Sequence, residues 1–301
     1  MTARATEPPG STAAVAQWLR EATRRRVAVA LESRRKTARP RSGVIDLRRL
    51  DAIEVDEVAR LVRAQAGVTI AVLERELRTR GLSIGPLANR EPRARLGTLL
   101  QEPEPADRSP RYGRLVDACV GLEAVLGDGT VVGWRDSPRK AVGPDWRALV
   151  LGAGASVAIL TTATLRVHGI PEAVRPCAYR LPDRAAALRV AREAARRDVR
   201  PASWWVSGRT LSAVLEGPAA LVGSEHDLLG GLVKASGGSP ADPAPRPTRR
   251  ARHAPWSALL GGRAAVSEMT LDGGCLHDHP EPRVRWPVRL DRALRAARIG
   301  A

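Results

Sequence analysis

Three stretches of this chain carry residue types whose spacing could do chemistry. The first is RALVLGAGASVAILTTATLRVHG, residues 147–169, where an apolar run meets Gly152-Ala153-Gly154. Glycines placed this way let backbone N–H groups close on the phosphates of a dinucleotide. The second is ESRRKTARPR, residues 32–41, four arginines and Lys36 in one short segment, which offers charge to a diphosphate. The third is CLHDHPE, residues 275–281, where Cys275, His277 and His279 fall at alternate positions and so share a face if the segment is extended. Such a set could hold zinc, but Pro280 ends any strand at once, and a surface tail is the expectation, with no metal. His168 and His226 stand alone and read as structural or exposed, and no catalytic base is legible. No G-x-S-x-G, H-E-x-x-H or G-K-[ST] motif is present.

The glycine stretch is not a Rossmann loop. That fingerprint needs a third glycine or alanine, then a helix and a second strand. The required position holds Val157, and Val157, Ile159, Thr161, Thr162, Thr164 and Val167 form a β-branched run suited to a strand. The expected order is therefore strand-like segment, glycine turn, strand, closed by the break at Gly169-Ile170-Pro171.

The chain of 301 residues has room for one large domain or two modest ones, and its 44% hydrophobic and 27% charged residues fit a globular protein. The formal charge of +17 invites a nucleic-acid reading, yet only Lys36, Lys140 and Lys234 among the 49 basic residues are lysine, and phenylalanine is absent. That skew is what a GC-rich coding bias produces, and the arginines run along the whole length, so nucleic-acid binding is not expected. No window approaches 18 uninterrupted apolar residues, so no membrane span is expected. MTARATEPPGS lacks the apolar core of a signal peptide, which points to the cytoplasm. Cys119, Cys177 and Cys275 are odd in number and far apart, which argues against a disulfide framework.

Several elements must position these residues. Ser11 caps a helix carrying Val15, Trp18, Leu19 and Ala22. Short strands follow at 27–31 and 44–47, and two more between Ala52 and Gly67. Thr69 caps a helix that Gly81 stops. Residues 85–111 show no clean period. VDACVGLEAVLGDGTVVGW reads as a hairpin turning at Gly127-Asp128-Gly129, with Cys119 in the core. DRAAALRVAREAARRD is an amphipathic helix, SAVLEGP a strand, and residues 237–255 a loop. Trp204 and Trp205 point to opposite faces of a strand, one to the core and one toward a pocket.

In this order the blocks resemble the FAD-linked oxidases, whose FAD-binding domain is of the PCMH type. PGSTAAVAQWLREA is similar to the family's first helix and GVIDLRRLDAIEVD to its V-x-D-L-S-R-M strand. VRAQAGVTIAVLERELRTRGLSIG is similar to its V-x-A-G-V-T-L-A-E-L-E segment, and RYGRLVDACVGLEAVLGDGTVV to its Y-G-x-x-x-D-x-V-x-G-L-E region. GPDWRALVLGAGASVAILTTATLRV resembles the G-S-E-G-T-L-G-V-I-T block that closes the domain. The resemblance implies an α+β fold: a PCMH-type FAD-binding domain of two α+β subdomains over 9–170, followed by a shortened cap over 172–301. It implies FAD contacts at Arg34, Arg35, Lys36, Gly97, Thr98, Tyr112, Gly113, Gly152, Gly154, Ser156 and Ile159. The expected activity is oxidation of a 2-hydroxy acid or related CH–OH substrate.

The family pattern also breaks. Its glycine-rich diphosphate loop belongs where this chain has ESRRKTARPR, with no glycine before Gly43. Those cations either replace the loop by charge or form a solvated turn that has lost the cofactor. Leu96 stands at the first glycine of the second block, and Glu91, Glu102, Glu104 and Asp107 lie near the path of an anionic cofactor, which disfavours it. Ala153, Gly154, Ala155 and Ser156 replace S-E-G-T, small for small. A non-catalytic relative acting as a subunit beside an active paralogous oxidase therefore stays open as the alternative.

Overall fold

Ser11 opens the first helix. Its side chain accepts from the N–H of Ala14 at 3.2 Å, and helix α1, Thr12–Arg24, buries Val15, Ala16, Leu19 and Ala22. The computed structural model describes residues 8–32, 43–85, 92–101, 109–113, 115–134, 147–242 and 268–270. Strands β1, Val29–Leu31, and β2, Gly43–Ile45, pair in parallel. Gly43 lies where a Cβ would come within 3.1 Å of the Trp18 ring, so α1 and β2 pack closely.

The main sheet is antiparallel, built from β3 (Ile53–Asp56), β4 (Leu61–Gln65), β6 (Cys119–Leu126), β7 (Val131–Trp134) and β8 (Ala158–Arg166), in the order β3-β4-β8-β6-β7. Helices α2 (Ile70–Arg78) and α3 (Leu96–Gln101) bring Ile70, Leu73, Leu77, Leu96 and Leu100 into one core with Val62, Ala64, Leu122 and Leu160. A second core joins α1, through Val15 and Leu19, to Val125 and Ile159. Strand β8 lies central in the sheet and is buried from Ala158 through Leu165. Its β-branched run is thus explained by burial on both sides.

The caps and turns form where the sequence places them. Thr69 accepts from Val72 N–H at 3.3 Å, and Gly81, past the end of α2, takes φ +68°. Gly129 takes φ +80° in the hairpin, and Asp128 Oδ1 accepts from Thr130 N–H at 2.8 Å. Cys119 is buried in the core. A two-stranded pair joins β5 (Leu82–Ser83) to β9 (His168–Gly169). The buried Glu74 of α2 fixes β5, accepting from Ser83 Oγ at 2.8 Å and Ile84 N–H at 3.0 Å.

Two expectations need correction. Residues 147–150 are not strand-like but form a helical turn, α5 (Arg147–Val150), closed by Leu151 N–H on Arg147 C=O at 2.8 Å. Val150 is buried from that turn, which an apolar pattern alone cannot distinguish from a strand. The hairpin also starts later than expected, because Leu115–Ala118 is helical (α4).

The second sheet is ordered β13-β10-β12-β11-β14, with β10 Ala173–Arg180, β11 Ser203–Ser207, β12 Thr210–Gly217, β13 Ser239–Pro240 and β14 Glu268–Thr270. Helices α6 (Arg184–Arg196) and α7 (Ala219–Ala235) cover one face, burying Ala187, Val190, Leu229 and Val233 against Tyr179, Trp204, Leu211 and Leu215. Asp183 caps α6, accepting from Ala186 N–H at 2.6 Å. Trp204 and Trp205 do alternate, and both are buried, at 4% and 7% exposure, so neither is presented to solvent. The protein is an α+β fold. Among the described residues no helix is long and apolar enough to cross a membrane, and no group of His, Cys, Asp or Glu could hold a metal. Cys275, His277 and His279 lie outside the described residues.

Candidate functional site

The glycine turn between α5 and β8 is built by backbone geometry and one buried side chain. Gly152 (φ +77°) and Gly154 (φ +63°) sit in the left-handed region that glycine adopts without strain. Gly152 N–H donates to Leu100 C=O at 2.9 Å and Gly154 N–H to Gln101 C=O at 2.5 Å, which seats the turn on the C-terminal end of α3. The Gln101 side chain completes the clamp. Its Nε2 donates to Gly154 C=O at 2.8 Å and Ala158 C=O at 2.7 Å, while its Oε1 accepts from Leu160 N–H at 3.0 Å.

Gln101 has no exposed surface, so its amide is spent entirely on the turn and the start of β8. The residue was not singled out from sequence. The one signal was a polar residue ending the apolar run GTLLQ.

The turn leaves room for a ligand beside Gly154. A Cβ built on Gly154 meets nothing within 4 Å, so the turn has an open face there, flanked by the small Ala153, Ala155 and the exposed Ser156. The N–H groups of Gly152, Ala153, Gly154 and Ser156 donate to protein carbonyls, so a group bound there would meet open space and the Ser156 side chain rather than these donors. Ile159 lies just beyond, 2% exposed in the core with Val15 and Val125 and paired to Val125 in the sheet, so it offers no exposed surface to a ligand.

Gly97 and Thr98 belong to α3, the same helix that carries the clamp. Gly97 is required by packing. Its N–H donates to Ala66 C=O at 2.9 Å, and a Cβ there would stand 2.6 Å from the Ala66 Cβ. Arg34, Arg35 and Lys36 lie outside the described residues, as do Glu91, Glu102, Glu104 and Asp107.

Tyr112 and Gly113 are held elsewhere, in a turn closed by a reciprocal backbone pair between Ser109 and Gly113, at 3.1 and 2.8 Å. Gly113 takes φ +75°, and Ser109 Oγ accepts from Tyr112 N–H at 3.1 Å. The Tyr112 ring lies against Gly85 and meets His168 edge-on, with centroids 4.7 Å apart. Burial and a hydrogen bond to Glu216 of β12 push the Tyr112 phenol well up, so it remains a neutral donor. His168 is pushed down, first by burial and then by the guanidinium groups of Arg166, Arg111 and Arg60, so its ring is neutral near pH 7. His168 is thus no isolated side chain, but half of an aromatic contact.

Part of the chain matches known proteins. Residues 4–134 match the family model described as FAD binding domain. The chain is 36% identical over 115 residues to the uncharacterized FAD-linked oxidoreductase YgcU of Escherichia coli (strain K12), covering 38% of this chain and 24% of that protein. It is 34% identical over 119 residues to a probable mitochondrial D-lactate dehydrogenase of Danio rerio, covering 38% and 23% respectively. Among solved structures, an alkyldihydroxyacetonephosphate synthase superposes with TM-score 0.66 at 19% identity, over 80% of this chain and 52% of that one. The chain therefore spans about a quarter of the length of these sequence relatives and about half of that structure.

Proposed function

We propose that the chain is an FAD-linked oxidase with a PCMH-type FAD-binding domain, that it holds FAD on the Gly152–Ser156 turn and that it oxidises a small 2-hydroxy acid. The observation that carries this reading is the glycine turn, clamped by Gln101 and open at Gly154. In this reading residues 9–170 form the FAD-binding domain and the chain from 172 the cap.

Bound FAD supplies the acceptor for a hydride from the hydroxyl-bearing carbon. The chain's own contribution is to bind and to orient. Gln101 fixes the Gly154 and Ala158 carbonyls inward, leaving the space beside Gly154 and the exposed Ser156 on the open side. Arg34, Arg35 and Lys36 supply charge to the diphosphate. Exposed arginines of the cap sheet, such as Arg175 and Arg180 on β10, offer bidentate partners to a substrate carboxylate.

The test is the visible absorption spectrum of the purified protein, before and after incubation with FAD and desalting. Retained flavin absorbance that bleaches on anaerobic addition of glycolate or D-lactate supports the proposal. Gly154→Val, which forces a β-branched residue into φ +63° and fills the open face, should abolish retention. A second reading has its own observation: ESRRKTARPR lacks the glycines that the family's diphosphate loop carries. A folded protein that stays colourless would favour a flavin-free subunit that binds an active paralogous oxidase.

A further inference from the structure

Among the described residues, no helix or strand up to β9 makes more than marginal contact with a helix or strand of the second sheet. Units joined so lightly move relative to one another unless something pins them. What crosses is the turn Ser109–Gly113. Ser109 Oγ donates to Ala202 C=O at 2.7 Å, just ahead of β11. The Arg111 guanidinium lies beside Gly217, the last residue of β12, where a Cβ would meet it in its present position. Gly217 takes φ +144°, a conformation that favours glycine. Tyr112 bonds Glu216 on the same strand, while its ring is braced by Gly85 and His168.

The turn is also linked to the glycine turn through β8. Strand β8 runs from the glycine turn to His168, the residue on which Tyr112 rests. Tyr112 thus touches the cap with its hydroxyl and the end of the β8 route with its ring.

We propose that the Ser109–Gly113 turn is a strut that couples occupancy of the Gly152–Ser156 turn to the position of the cap sheet, with Tyr112 as its positioning residue. The inference rests on the reading that this turn holds FAD. A ligand that stiffens the glycine turn stiffens β8 and the His168 ring on which Tyr112 rests, and through Glu216 and Ala202 restrains β12 and β11. The coupling is reciprocal: a cap released from the strut weakens the hold on FAD.

Hydrogen exchange of the full chain, read by mass spectrometry with and without FAD, tests it. In the wild type, FAD should slow exchange at least about tenfold in peptides covering 203–207 and 210–217. In Tyr112→Ala, at saturating FAD, that slowing should vanish, while without FAD peptides covering 61–65 and 158–166 keep their wild-type rates, which reports an intact fold. Tyr112→Phe, which keeps the ring and loses only the Glu216 bond, should show a partial loss. Glu216→Gln, which keeps an acceptor for the phenol, should restore wild-type behaviour. Flavin retained after desalting with no slowing in the cap peptides overturns the coupling and leaves the FAD reading standing. Equal FAD-induced slowing in Tyr112→Phe and wild type also overturns it. Failure of the wild type to retain flavin overturns both.

Discussion

Replacing Gln101 tests whether the glycine turn is held as the structure shows. Methionine is the informative substitution, because it keeps the volume and apolar contacts of the side chain while removing its amide. Three hydrogen bonds are lost. Gly154 is half-exposed, so its carbonyl regains water and contributes little. Ala158 and Leu160 are 3% and 0% exposed, so the carbonyl of one and the N–H of the other are left without the amide that served them. Stranding a buried backbone group costs about 1–3 kcal/mol, which gives about 2–6 kcal/mol for the pair. That is a large part of the 5–15 kcal/mol by which a domain is typically stable. Urea unfolding followed by far-UV circular dichroism reads it as a lower midpoint at unchanged slope. Gln101→Glu should be at least as damaging, since a second carboxylate oxygen would face the carbonyls of Gly154 and Ala158. A cost below about 1 kcal/mol for Gln101→Met would refute the argument, because it would mean that the turn and the start of β8 do not depend on the buried amide.

Gly97→Ala places a Cβ 2.6 Å from that of Ala66, and overpacking of this kind costs about 1–3 kcal/mol. The double variant with Ala66→Gly should recover part of that loss in the same urea assay, giving a non-zero coupling energy. Asp183→Ala removes the cap of α6 and should lower stability by about 1 kcal/mol, with Asp183→Ser largely restoring it. His168, pushed below its ordinary 6.5 in the fold, binds a proton more readily when unfolded. Stability should therefore be full above pH 6.5 and decline as pH falls through that value, levelling off only below the folded pKa. Urea midpoints across that range should show the decline, and His168→Gln should flatten it.

The elements legible from sequence were those whose pattern is local. Ser11, Thr69 and Asp128-Gly129 fix their caps and turn within a few residues, and the α6 pattern carries its own period. Where tertiary packing decides, sequence reading fell short. Helix α7 keeps Gly223, Gly230 and Gly231 inside a helix, each costing about 1 kcal/mol relative to alanine, and is held instead by Val222, Leu229 and Val233 against the sheet. Helix α3 is six residues long, too short to show a period. Residues 147–150 are apolar and buried as a helical turn as readily as in a strand.

The candidate site divides along the same line. Gly97, Gly152 and Gly154 look alike in a motif, yet they do different work. Gly97 lacks a side chain because Ala66 occupies the space, whereas Gly152 and Gly154 lack one because the backbone turns through positive φ there, with open space beyond Gly154. Only the second kind lets a ligand come close. The residue that makes the distinction possible, Gln101, contacts the turn from 53 to 59 positions away in the chain, a separation no local pattern reports. Tyr112 belongs to the same class: its partners Gly85, His168 and Glu216 come from three separate parts of the chain. A motif can therefore name these glycines, but it takes the fold to say which of them border open space and which pack against a neighbouring residue.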